Sequence, residues 1–311
     1  MSDPATAVLL MGYGSPSGAG DLAGYLTDVL RGRAPPPQMV EDYERRYARI
    51  GGSPQNGILA SLRDKLERRL ARGATGPRVY LGTKHWHPNI ATVLPRMAEE
   101  GVRRAIAVPL SPYASTWILE PYRSTLAEGV RAARSPIEVE LKTDWHLDPD
   151  LLGLWARSIR ASLEALHDPS AWVHLSAHSL PRRYRDAGDP YPEILAETSR
   201  AIAERAGLTR WGFTFQSAGN TTEPWLGPDV TERMLEAKAH GATAQLIASF
   251  GFVFDHLETL YDLDVEVRGF AEGHGIPYHR VPMPNDADAV VDALARTVER
   301  PAAGERFGPS R

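Results

Sequence analysis

Short apolar runs alternate with stretches of helical spacing along almost the whole chain. The first run, residues 7–11, is continuously apolar and bounded by Gly12 and Gly14, the pattern of a buried strand leaving through a tight turn. Helical spacing follows near 21–30 and 41–50. Gly51-Gly52-Ser53-Pro54 then breaks the chain, and helical spacing resumes over 56–70. Further apolar runs at 79–81, 105–110 and 138–142 are separated by helical stretches at 90–100 and 125–133. The second half keeps this rhythm. Helices are predicted at 151–166, 191–206, 229–239, 255–272 and 286–298, and strands at 172–175, 211–216, 244–249 and 278–281. Such alternation calls for parallel sheets made of right-handed βαβ units. Two similar sets predict an α/β protein of two doubly wound domains, residues 1–143 and 144–285, with a cleft between them and a last helix, 286–300, returning to the first.

Composition narrows the chemistry. The chain has 311 residues, enough for two ordinary domains, and no cysteine. Disulfides, thiolate zinc sites, a cysteine nucleophile and a cysteine-ligated iron–sulfur cluster are therefore excluded. A metal would have to be held by His, carboxylate, Tyr or the substrate. A net charge of −4 gives no reason to expect a nucleic-acid partner. The first residues carry no basic run before a short apolar one, and nothing approaches the ~20 apolar residues of a membrane span. A cytoplasmic protein is expected.

The strand ends carry the informative residues, because ligands of open α/β sheets sit outside the carboxyl ends of the strands. The run Trp172–Pro181, WVHLSAHSLP, places His178 at such an end, where an imidazole can take a proton or bind a metal. After the first run, Gly12-Tyr13-Gly14-Ser15-Pro16 matches neither a phosphate-cradling glycine loop nor a nucleophile elbow. It presents a phenol between two glycines. His85 and His87 share a side of the chain, but Pro88 follows at once and a structural role is favoured. In FGFVFDHLETLYDLDVE, residues 250–266, Glu258, Asp262 and Glu266 fall on one helix face, where they repel one another and favour a cation. A competing reading makes Asp255 and Glu258 a capping box and leaves Asp262 and Glu266 solvated. Arg31, Arg33, Arg45, Arg46 and Arg49 offer forks for carboxylates or phosphates.

Taken together, these motifs resemble the ferrochelatase family, nearly end to end. The resemblance rests on Tyr13-Gly14-Ser15-Pro16, on Arg46-Tyr47 followed by Ile50-Gly51-Gly52-Ser53-Pro54, and on Ser176-Ala177-His178-Ser179-Leu180-Pro181. It also rests on Gly188-Asp189-Pro190-Tyr191-Pro192, Gln216-Ser217, Pro224-Trp225-Leu226-Gly227-Pro228 and His256-Leu257-Glu258-Thr259-Leu260. It implies two Rossmann-like domains with a porphyrin cleft between them, and Fe(II) insertion with loss of two pyrrole protons. His178 and Glu258 match the family's inner pair, which takes protons and guides iron. Asp262 and Glu266 match an outer acidic row along which iron arrives. The turn at Tyr13 is similar to that of soluble, Gram-positive-type members, which use coproporphyrin III and make coproheme. There the tyrosine is an axial ligand of the product iron, and Arg31, Arg46, Gly52, Ser53 and Tyr122 become candidate substrate contacts. No organic cofactor is implied, iron being the substrate, and the remaining partners would be transient ones of the haem pathway. Two departures stand out: Leu30 where some relatives carry arginine, and Pro121 in place of a small polar residue. Another tetrapyrrole chelatase, or a porphyrin or haem carrier, would share much of this pattern.

Overall fold

The computed structural model describes residues 5–71, 73, 75–219, 221–301 and 304–308. The chain divides into two compact units, residues 1–145 with 286–311, and residues 146–285.

In the first unit, β1 (Thr6–Gly12), β2 (Val79–Thr83), β3 (Arg104–Pro109) and β4 (Glu138–Leu141) run parallel in the order β2-β1-β3-β4. The central strand is a continuous apolar run because both its faces are covered: every residue from Ala7 to Met11 is buried. Helices α1 (Leu22–Val29), α2 (Pro37–Arg49), α3 (Gln55–Leu70), α4 (Ile90–Glu99), α5 (Thr116–Ala132) and α11 (Asp288–Glu299) complete the unit. Leu59, Leu62 and Leu66 give α3 a fully buried stripe. Helix α5 starts at Thr116, well before the helical stretch expected from 125. The Ser115 hydroxyl accepts from the Ile118 amide as an N-cap, and the helix runs straight through Pro121. The sheet is not wholly parallel either. The terminal strand β9 (Glu305–Phe307) pairs antiparallel with β4 and covers its open edge, and Gly304 allows the close approach to Leu141.

The second unit has a four-stranded parallel sheet in the order β6-β5-β7-β8, formed by β5 (Trp172–His178), β6 (Trp211–Gln216), β7 (Gln245–Ala248) and β8 (Tyr278–Arg280). Strand β5 extends beyond residue 175, so His178 is its last residue and lies opposite Gln216 in the ladder. The helices are α6 (Pro149–Leu166), α7 (Arg182–Asp186), α8 (Tyr191–Ala206), α9 (Val230–Ala239) and α10 (Arg268–Gly273). The acidic stretch expected as one α-helix over 255–272 is instead a π-helix, Glu258–Val267, continuing into α10. No helix among the described residues is long and apolar enough to cross a membrane.

Both units repeat one topology. Each begins with an inner strand, adds the next on one side, then crosses to the other side. Such a reversal leaves a crevice at the carboxyl ends of the two inner strands. The loops facing it follow β1 and β3 in the first unit and β5 and β7 in the second.

A buried imidazole ties the second sheet together. His174, fully buried on β5, bonds the Gln245 side chain of β7 at 2.8 Å, and Gln245 Nε2 donates to the Met234 carbonyl of α9 at 2.8 Å. Burial foremost, with the Arg233 charge adding to it against the Gln245 bond, pushes the His174 pKa down to about 4. An unfolded histidine binds a proton below about 6.5. The neutral buried ring therefore contributes stability above that pH, lost as pH falls toward about 4. Chemical denaturation should show the wild type losing about 3 kcal/mol more than His174→Leu between pH 7 and pH 4. Parallel pH profiles for the two proteins would refute the assignment.

Candidate active site

In the second unit the switch-point loops converge on His178. Its ring lies 6.0 Å from that of Phe252 and 6.5 Å from that of Trp225, centroid to centroid. Its Nδ1 is buried with no hydrogen-bond partner in the protein, as are Ser176 Oγ and Gln216 Nε2 on the same sheet face. Buried polar atoms are normally paired, so these three on one sheet face mark a candidate ligand site.

The surrounding motifs hold this strand end in place. The Ser179 amide donates to the Gln216 carbonyl at 2.8 Å, and its hydroxyl donates to the Leu226 carbonyl at 2.8 Å. The segment containing Trp225 is thereby strapped across the turn after β5. Gly188, at φ +86°, bends the chain into α8, whose first residue, Tyr191, sits beneath the site. The Tyr191 hydroxyl donates to the His178 carbonyl at 3.0 Å. Burial, and then the Glu258 and Asp189 charges, hold its pKa well above the usual phenol range, so it remains a donor. After β7 the chain passes so close to β5 that only glycine fits: a Cβ on Gly251 would lie 2.6 Å from Ala177 Cα.

From there side chains lead to the acidic segment. Phe252 packs edge-on to His256, centroids 4.4 Å apart, and His256 Nε2 lies 3.6 Å from Glu258 Oε2. His178 and Glu258 are thus joined within one unit through Phe252 and His256. The helix has Leu257, not Asp255, at its N-cap, with no side-chain cap hydrogen bond. The Asp255 carboxylate bonds Arg280 Nη1 at 3.0 Å and Asn285 Nδ2 at 2.9 Å, and it is the Thr259 hydroxyl that accepts from the His256 amide. Arg280 also grips Asp264 through Nε at 2.9 Å, a pairing the sequence reading missed. The wider π turn still keeps Glu258, Asp262 and Glu266 along one side, because residues four apart stay within a fraction of a turn of each other in either helix type. One row over, Thr259, Leu263 and Val267 are buried, so the acidic row borders the core. Glu258 and Asp262 are half-buried and Glu266 is exposed. Among the described residues, no three His, Asp or Glu side chains gather into a metal cage.

In the first unit, Tyr13 is 42% exposed at the end of β1, whereas Tyr122 on α5 is 4% exposed and belongs to the core. The phenol available to a ligand is therefore Tyr13. Lys84, not anticipated from sequence, places Nζ 4.5 Å from the Tyr13 ring centroid and 5.9 Å from that of Tyr122. Gly14, at φ +102°, lets the β1 loop lie against the β2 loop: a Cβ there would strike the His85 carbonyl oxygen, and the His85 amide donates to Tyr13 O at 2.8 Å. His85 Nδ1 lies 2.8 Å from Asp28 Oδ2, a structural pairing. Burial, then the Lys84 charge, holds its pKa below the usual value. Tyr47 and Asn56 bring the Gly51-Gly52-Ser53 loop to Ser15, through Tyr47 Oη to Ser15 Oγ at 3.4 Å and Asn56 Nδ2 donating to Ser15 O at 3.2 Å. The Gly52 amide is spent on the Tyr47 carbonyl, and Ser53 Oγ accepts from the Gln55 amide. Arg46 pairs with Asp42 at 2.9 Å one turn earlier, and Arg31 is exposed just past α1 at φ +56°.

The chain as a whole matches one family of proteins. The ferrochelatase family model covers residues 5–302. The chain belongs to the ferrochelatase family. The coproporphyrin III ferrochelatase of Geobacillus thermodenitrificans is 37% identical over 314 residues, covering 98% of each chain. The ferrochelatase of Thermus thermophilus is 35% identical over 287 residues, covering 86% of this chain and 90% of its own. The fold is shared more widely. The cobalt-bound sirohydrochlorin chelatase of Bacillus subtilis subspecies spizizenii superposes with a TM-score of 0.59 at 12% identity, covering 96% of this chain and 95% of that one. Within the ferrochelatase family, then, this chain carries the histidine of the SAHSLP run at a strand end and the first glutamate of the acidic row in the same unit.

The ion cluster behind the acidic row should be required for it. Arg280 is largely buried and is shared by two carboxylates. Arg280→Ala leaves Asp255 and Asp264 without their main partner and should destabilise the fold by about 3 kcal/mol. Arg280→Lys, which keeps the charge but loses the fork, should fall between the two. Thermal and urea denaturation of the three proteins checks this, and an Arg280→Ala protein as stable as wild type would contradict it.

Proposed function

We propose that this chain inserts ferrous iron into coproporphyrin III, with loss of the two pyrrole N–H protons, and yields coproheme. The observation that carries the chemistry is the buried, unpartnered Nδ1 of His178 at a switch-point strand end, linked through Phe252 and His256 to Glu258. The choice of porphyrin is supported by relatives named coproporphyrin III ferrochelatase and by the exposed Tyr13.

Metallation needs two things of the protein: a base for each pyrrole proton, and iron ligands that release as readily as they bind. His178 and Glu258 serve as the proton-accepting, iron-guiding pair. Asp262 and Glu266, hard oxygen donors toward the exposed end of the row, pass hydrated iron inward. Tyr13 offers its phenolate oxygen as the axial ligand of the product iron. Arg31 and Arg46, with the Gly52–Ser53 loop, meet the propionates, for which guanidinium forks are suited. Tyr122, a candidate contact from the sequence, lies in the core under this wall with its ring 5.9 Å from Lys84 Nζ, and any effect it has on the substrate is through Lys84. No organic cofactor enters, since the metal is itself the substrate.

Anaerobic addition of Fe(II) to the purified protein with coproporphyrin III should replace the free-base absorption spectrum by that of coproheme. Brisk turnover of protoporphyrin IX with none of coproporphyrin III would overturn the choice of porphyrin. His178→Ala should bind coproporphyrin III with close to wild-type affinity, read by fluorescence, yet lose iron insertion by about 100-fold or more. Near-normal insertion by that variant would remove His178 from the reaction.

A further inference from the structure

At the opposite end of the second sheet from His178, a cavity of about 470 Å³ opens beside the edge strand β6, between its start and α9. Trp172, at its mouth, lies six positions before His178, about 20 Å along β5. The cavity runs inward from Trp172 to His174 and to Thr214, which lies opposite Ser176 in the ladder, and ends short of His178.

Its existence follows from the sequence of β6. Gly212 lies opposite His174 in the ladder, on the sheet face shared by His174 and Thr214. A side chain at 212 would enter the space now lined by Trp172, and a Cβ there meets nothing closer than the Trp172 ring at 3.8 Å. Helix α9 closes the other side with Arg233, Glu236, Ala237 and His240, which share one helix face. Trp172 makes one wall aromatic, while Trp211 and Phe213 belong to the other face of β6, where the Phe213 ring packs on Phe215 and Phe250.

Three buried polar atoms on lining residues have no hydrogen-bond partner: His174 Nδ1, Thr214 Oγ1 and Arg210 Nε. His174 and Thr214 are fully buried. The hydrogen-bond pattern fixes what His174 offers. Gln245 donates its amide to Met234 O, so its oxygen faces the imidazole, which must donate from Nε2 and leave a lone pair on Nδ1. The depressed pKa keeps that lone pair bare at neutral pH. Arg210 Nε is a charged donor, with the guanidinium carbon 5.7 Å from the Trp172 ring centroid. Arg233 adds a second guanidinium at the mouth, paired with Glu236. Each buried unpaired group costs about 1–3 kcal/mol, and here three of them line one cavity. A volume of this size, apolar walls and a few placed polar groups are the marks of a small-molecule site.

We propose that this cavity binds a planar aromatic anion. Its ring packs against Trp172 over Gly212, a ring N–H or O–H donates to His174 Nδ1, and a carboxylate or phosphate takes Arg210 Nε and the Arg233 guanidinium. The site is independent of iron insertion, because none of its residues has a part in that reaction.

Isothermal titration of the full chain with indole-3-acetate and with AMP tests the carboxylate and phosphate forms separately, with indole and adenosine as uncharged controls. Saturable binding of one anion at micromolar concentration is expected, weakened about tenfold or more by Arg210→Met and by His174→Leu. Gly212→Leu should abolish it by filling the cavity, while coproporphyrin III affinity stays at the wild-type value and reports an intact fold. The proposal fails if neither anion binds below millimolar concentration, if the uncharged controls bind as tightly, or if Gly212→Leu binds the anion as wild type does.

Discussion

The candidate iron-handling end of the second unit depends on how β5 is clamped between β6 and β7. A parallel strand buried on both faces leaves no freedom of register. The clamp is tightened where it matters. Gly251 is in backbone contact distance of Ala177, the Ser179 amide continues the ladder to Gln216, and the Tyr191 hydroxyl fixes the His178 carbonyl from below. None of these contacts uses the imidazole ring. The backbone of His178 is satisfied from several directions while its side chain is left with an unpaired nitrogen, the division of labour expected of a reactive group on a rigid support.

The acidic row is held by a different device. Glu258, Asp262 and Glu266 repel one another, and a helix carrying them needs a compensating anchor. That anchor is Arg280 at the end of β8, which binds Asp255 before the π-helix and Asp264 within it. The carboxylates divide accordingly. Asp255 and Asp264 are consumed by the scaffold, while the three of the row point along the border of the core. An isolated buried ion pair is weak evidence for stability, but one arginine shared between two carboxylates fixes orientation as well as charge.

Much of this was legible in the sequence. The strand–helix alternation identified the α/β class, because fully buried parallel strands read as continuous apolar runs and β1 is such a run. The strand-end rule singled out His178 and Tyr13, and the four-residue spacing singled out Glu258, Asp262 and Glu266. The failures have separate causes. Pro121 hid the start of α5, since proline usually stops a helix, yet here the Ser115 cap starts it upstream. The capping box at Asp255 was a correct local pattern overridden by Arg280 and Asn285, which are distant in sequence. Strand β9 is too short and too polar to signal itself. Lys84 carried no motif at all; only the packing of the β1 and β2 loops brings it over Tyr13. Local rules found the residues that point at a ligand and missed those that hold other residues in place.

The way the carboxylates are dispersed bears on the chemistry proposed for them. Three or more hard ligands gathered round one point would hold a divalent ion with its binding energy already spent, and a chelatase must give that ion up to four pyrrole nitrogens. The described residues instead spread candidate donors along a helix side and onto a neighbouring strand end, with Phe252 and His256 between Glu258 and His178. On the proposed reading, few donors at each stop keep any one of them from becoming a trap. The rigid clamp on β5 and the Arg280 anchor then serve one purpose on the proposed reading. They keep the stops at fixed spacing, so that iron moves by exchanging ligands and the protein itself need not move.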